Sequence, residues 1–173
     1  MHIDPETFDP LGRMLFRASQ IWAVLGCLVF LALMGMSMVS IVGRKLASTP
    51  IAGDIEMMQM GASFASASFF AYCHLIGGDM KVDFFTARAS PRTAHRLDAT
   101  ACLLVGLLGE LLAWRTGVGA MALYQAGETS MVLGWPLWMP QALMVPGFFL
   151  LGLAGFYKMK IHWCFCQRNG CKT

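Results

Sequence analysis

The sequence predicts an all-α membrane protein with four transmembrane helices, and three observations predict it. Hydrophobic residues make up 57% of the chain and charged residues only 13%, where soluble domains carry about 25% charge. So few charges cannot coat a soluble surface, and the mean hydropathy is correspondingly high at +0.58. The apolar residues gather into four runs, each long enough for the roughly 20 residues that a helix needs to cross the hydrocarbon core. The connections between the runs are too short to fold alone, so the 173 residues read as one membrane domain.

The first run is free of charge from Ala18 to Gly43. It is too long for a signal-peptide core, and Asp4, Glu6 and Asp9 precede Arg13 and Arg17, so it reads as a retained span. The second is apolar from Met57 to Gly78, broken by His74. Thr49-Pro50 precedes it, and Asp54 and Glu56 stand where carboxylates meet the positive end of a helix dipole. The third contains Glu110 and Arg115, and Ser90-Pro91 leads into it. Trp135-Pro136 enters the fourth, where Pro140 and Pro146 are placed to kink it. The expected spans are about 18–43, 54–76, 97–123 and 136–157, with a cytoplasmic tail over 158–173. Trp22, Tyr72, Tyr124, Trp135, Trp138 and Tyr157 fall near expected ends, as interfacial aromatic rings do.

Lysine and arginine set the orientation. Arg13 and Arg17 precede span I; Lys81, Arg88, Arg92 and Arg96 lie between spans II and III; Lys158, Lys160, Arg168 and Lys172 follow span IV. Only Arg44 and Lys45 oppose them, so both termini and the II–III connection are expected in the cytoplasm. In that connection Val82, Phe84 and Phe85 alternate with charges before a basic stretch. It reads either as an interfacial segment facing anionic headgroups or as a solvated loop.

Chemistry is sparse. No phosphate loop, nucleophile elbow or metalloprotease helix is present, and no basic stripe suited to nucleic acid. Neither enzymatic activity nor a cofactor is expected. Cys164, Cys166 and Cys171 form a C-x-C-x4-C cluster without the second pair that a zinc site needs. His74 and His95 fall near one membrane face, which raises haem ligation, but both lie at or beyond helix ends. Glu110 is near the middle of span III, where a carboxyl needs a partner, water or a proton. Arg115, five residues on, is badly spaced to pair with it and can snorkel outward. Glu110 is therefore expected to meet another helix, in this chain or a neighbour. Arg44 and Glu56 flank the first hairpin and are placed to form an interfacial ion pair. Gly61, Ala65 and Ser68 in span II, and Gly109, Ala113 and Gly117 in span III, suit close helix packing within the bundle or against another subunit.

Three stretches carry a family resemblance: SIVGRKLASTPIAGDIE at 40–56, GGDMKVDFF at 77–85 and ETSMVLGWPLWMPQALMVPG at 128–147. Together they resemble the small membrane subunit of tripartite ATP-independent periplasmic (TRAP) transporters, from about Ala18 to Tyr157. Asp79 stands where the family often has His, and the cysteine-bearing tail lies outside the pattern. The resemblance implies a bacterial inner-membrane protein that pairs with a large, many-span membrane subunit. A periplasmic substrate-binding protein feeds that pair, and uptake of a small organic acid is sodium-driven. It implies that this chain braces the large subunit and binds no substrate. Arg44, Glu56, Asp83 and Pro136 match recurring positions, and structural or interface roles are expected for them, as for Glu110 and Arg115. Two other readings remain: a haem-bearing membrane anchor of an oxidoreductase, and a stand-alone transporter with Glu110 as its coupling carboxylate.

Overall fold

The computed structural model describes residues 10–47, 53–78 and 91–169, with the helical backbone alone at 10, 47, 91–96 and 162–169. Four helices account for nearly all of them: α1 (Pro10–Ala47), α2 (Asp54–Ile76), α3 (Pro91–Ala126) and α4 (Trp138–Asn169). The chain is all-α, as the four apolar runs predict. α1, α3 and α4 run past their apolar stretches, because the polar turns at their ends continue the helix beyond the hydrocarbon thickness.

By length and composition three helices qualify as membrane spans: Leu11–Leu46, Leu97–Ala126 and Trp138–Ile161. α2 is the exception, although its 23 residues reach about 34 Å at 1.5 Å per residue. Its composition explains this: Ser63, Ser66, Ser68 and a series of alanines occupy positions where the other helices carry leucine. These small residues are seating surfaces. Ala65, Ala67, Ser68 and Ala71 are all buried.

Among the described residues the helices stand in the order α1, α2, α4, α3. α2 packs on α1 and on α4, α1 also touches α4, and α3 meets α4 alone. The ends of α1 and α3 and the starts of α2 and α4 share one end of the bundle. At the other end, His74 of α2 meets Lys158 of α4. α2 and α4 are therefore parallel and in register along their common length.

Between helices in lipid, association depends on close packing and polar contacts rather than on the hydrophobic effect. The α3–α4 interface shows this most plainly. A Cβ on Gly109 would fall 2.6 Å from the Gly152 backbone nitrogen, and one on Gly155 would fall 2.6 Å from Gly106 Cα. The two backbones touch, so glycine is required there. Gly109 and Ala113 of the small-residue stripe are buried in this interface, so that stripe serves packing within the chain. Gly61 of α2 similarly faces Leu33 of α1. Phe148 of α4 is buried in a cluster with Ala67 and Ala113, and stacks on Phe70 at 6.5 Å.

Two details depart from the sequence reading. α4 starts at Trp138, so Pro136 is in the preceding loop, where it bridges Thr129. Trp22 lies twelve residues into α1, packed edge-on against Phe64 with its indole N–H buried, because α1 begins well before the apolar run.

Candidate functional site

The functional residues gather where α1 ends, α2 begins and the α3–α4 loop closes over them. α2 starts after Gly53, and its first turn presents Asp54 and Glu56. Ser40 of α1 donates a hydrogen bond to Asp54 Oδ2 at 2.5 Å, and Arg44 Nη2 lies 3.7 Å from the same oxygen. Asp54 Oδ1 accepts the Ile55 backbone N–H at 2.7 Å. Asp54 thus ties α1 to α2. The ion pair anticipated between Arg44 and Glu56 is not the one formed: Arg44 reaches Asp54, two residues earlier in the same turn. The exposed Arg44 side chain makes this pair worth little in itself.

Glu56 faces the other way. It accepts a hydrogen bond from the Ser130 hydroxyl, from Val132 N–H at 3.1 Å and from Leu133 N–H at 3.2 Å. The carboxylate gathers the orphan donors of the 127–137 loop. The loop closes on itself through Ser130 N–H to Trp135 O at 2.8 Å and Leu137 N–H to Glu128 O at 3.2 Å. Both acids lie ahead of the apolar stretch that begins at Met57. The Ser40 hydroxyl, the Ile55 N–H and the Arg44 charge together hold the Asp54 carboxyl below its ordinary pKa, against a desolvation cost. The Ser130 hydroxyl and the loop amides do the same for Glu56. Donors aimed at a carboxylate favour its charged form.

Below this network α2 and α3 do not touch, and a cleft of about 730 Å³ opens over α4. Its polar lining includes Glu56, Gln59, Ser63, Thr116, Glu128 and Gln141. Among the described residues no Lys, Arg or His lines it, so the field they set is negative and repels an anionic guest.

At the opposite end Gly77, at φ 80, ends α2, with its N–H bonded to His74 O and that of Gly78 to Cys73 O. The left-handed turn suits glycine. Lys158 of α4, 5% exposed, donates its ammonium to the same His74 carbonyl. A cation at a helix C-terminus complements both the free carbonyls and the dipole. α2 is therefore clamped at both ends by side chains or loops from elsewhere in the chain.

Glu110 meets another helix, as expected, and the helix belongs to this chain: its Cγ and Oε1 lie over Gly152 of α4. Arg115 is exposed, on a different face of α3. Asp83 lies outside the described residues, as do Thr49-Pro50, most of the II–III connection and the side chains of His95, His162, Cys164 and Cys166. Among the described residues no cluster of three potential metal ligands occurs, and Cys27, Cys73 and Cys102 are not in disulfides.

Residues 33–164 match the family model of the DctQ component of tripartite ATP-independent periplasmic transporters. The chain belongs to that family. No curated protein and no solved structure matches it. A DctQ component is by definition one part of a transporter with further components. The matched stretch contains both α2 clamps, the cleft and the Glu110–Gly152 contact, and it leaves out the first half of α1. Sequence reasoning named Arg44, Glu56 and Glu110, but missed Ser40, Asp54, Ser130, Gly152 and Lys158 as their partners or counterparts. The signal for Ser130 was present in the 128–147 stretch. Its pairing with a residue 74 positions away was not.

Proposed function

We propose that this DctQ-family chain is the small, non-catalytic membrane subunit that braces a large transport subunit in the bacterial inner membrane. The transporter it serves takes up a small organic acid, driven by sodium and fed by a periplasmic binding protein. The observation that carries the reading is the double clamp on α2. Glu56 with the 127–137 loop at one end, and Lys158 at the other, suit a rigid scaffold rather than a moving carrier. The cleft supports it further, since its carboxylates and lack of cations are wrong for an organic acid. The register of α2 with α4 supports four crossings, including α2 despite its small-residue composition. Arg44, Glu56, Pro136, Glu110 and Arg115 are then structural or interface residues, and Asp83 is assigned the same role from its position in the family pattern.

The test is uptake in proteoliposomes. The chain alone should take up nothing. Together with its large membrane component and binding protein it should support sodium-dependent uptake, and omitting this chain should abolish it. Robust uptake by the isolated chain overturns the scaffold role.

A further inference from the structure

Among the described residues α3 has one neighbour, α4, and it has two unlike faces. Ala99, Cys102, Gly106, Gly109, Ala113 and Ala120 are buried against α4. On the opposite side Leu104, Leu108, Leu111 and Val118 are 60, 55, 57 and 48% exposed. At 100° per residue Arg115 lies in the middle of that outer face, about 200° round from Ala113. It is exposed, and it makes no ion pair or hydrogen bond among the described residues.

Its depth makes this costly. Tyr124 of α3 and Trp138 of α4 meet edge-on at 5.5 Å, just beneath the 127–137 loop, and mark the membrane interface at that end. Arg115 is nine residues below Tyr124, or about 13 Å along the axis. Half of a typical hydrocarbon core is about 15 Å. The Cα–Cβ bonds of a helix lean toward its N-terminus, so the side chain leaves the backbone heading away from the nearer interface. Snorkelling works against that geometry. A guanidinium held among leucines well inside the hydrocarbon core calls for a carboxylate from outside the chain. Glu110 does not supply it: it is about 140° round the helix and lies over Gly152.

We infer that the outer face of α3, centred on Arg115, is the docking surface for a transmembrane helix of the large component that bears an Asp or Glu at matching depth. This rests on the bracing role proposed above and assigns it a surface. α1, at the far edge of the row, also exposes leucines, including Leu28 and Leu31 at 59% each, but carries no charge between Ala18 and Gly43. It fits lipid.

The test uses the full chain co-expressed with its large component. A photo-crosslinking benzoylphenylalanine replaces Leu108, Leu111 or Val118 on α3, or Leu28 or Leu31 on α1. Adducts with the large component are expected from α3 and not from α1. Arg115→Leu should lower the co-purified large component at least about tenfold, and Arg115→Lys should retain part of it. Adducts from α1 alone, adducts with a second copy of this chain, or no protein adduct from α3, as a lipid-facing surface would give, each overturn the proposal. Unchanged recovery with Arg115→Leu does so too. If wild-type chain recovers the large component but the α3 adducts fail, the docking surface alone is wrong. If wild-type chain recovers none, the bracing role falls with it.

Discussion

Glu56, in the first turn of α2, accepts a hydrogen bond from Ser130, 74 residues further along the chain. With the Val132 and Leu133 amides it joins the start of one helix to the loop between two others. The contact sets the height of that loop over the bundle.

Replacing Glu56 should therefore act at a distance. Glu56→Ala leaves three donors of the loop without their acceptor. Amide exchange at Val132 and Leu133, followed by mass spectrometry in detergent, should rise roughly tenfold or more, since hydrogen bonds to charged groups are among the stronger ones. Exchange in the middle of α3 should not change. Protection that survives at both amides would show that the loop holds itself.

The same contact fixes a direction of pH dependence. Hydrogen bonds hold the Glu56 and Asp54 carboxyls below their ordinary values in the folded protein. Their contribution is complete above the unfolded-state pKa and is lost as pH falls through the lowered folded-state value. Thermal stability of wild type should exceed that of Glu56→Gln at neutral pH, and the gap should close on acidification. A gap that widens at low pH contradicts the assignment.

The α3–α4 contact allows no side chain at Gly109. Gly109→Val drives a branched side chain into the Gly152 backbone and should destabilise by about 3 kcal/mol, the upper end for overpacking. Gly117→Ala is the control: its Cβ would find Val145 Cγ2 at 3.9 Å, an ordinary contact. It should change stability by less than about 0.5 kcal/mol. Chemical denaturation in detergent measures both.

Lys158 caps α2 from α4. Lys158→Met keeps the length of the side chain but removes the donor to His74 O, and should cost about 1.5–3 kcal/mol in the same assay. Lys158→Arg keeps the charge and should recover part of the loss.

Glu110 separates scaffold from carrier. Glu110→Gln keeps shape and hydrogen-bonding capacity without a titratable proton, and uptake by the assembled transporter should persist. Glu110→Leu removes the polar group over Gly152 and should weaken assembly modestly. Loss of uptake with Gln in an intact complex would make Glu110 a coupling residue.

Composition and periodicity by themselves determined that this chain is helical, membrane-embedded and built on four apolar runs. Low charge and long hydrocarbon-matched stretches leave no other way to satisfy the backbone in lipid. The sequence also singled out Glu56, Arg44 and Glu110, because charged groups beside or inside apolar runs are conspicuous. Only the tertiary structure decided their partners. Arg44 reaches Asp54 and not Glu56, and Glu56 binds a loop that is remote in sequence, because helix pairing and loop closure set those distances and local spacing does not. The same holds for α2. Its small, hydroxyl-bearing residues lower its hydropathy, and their purpose became visible once α1 and α4 were seen to pack against them. Lys158 read as a tail charge that sets orientation, and the fold placed it, buried, on the free carbonyl that ends α2.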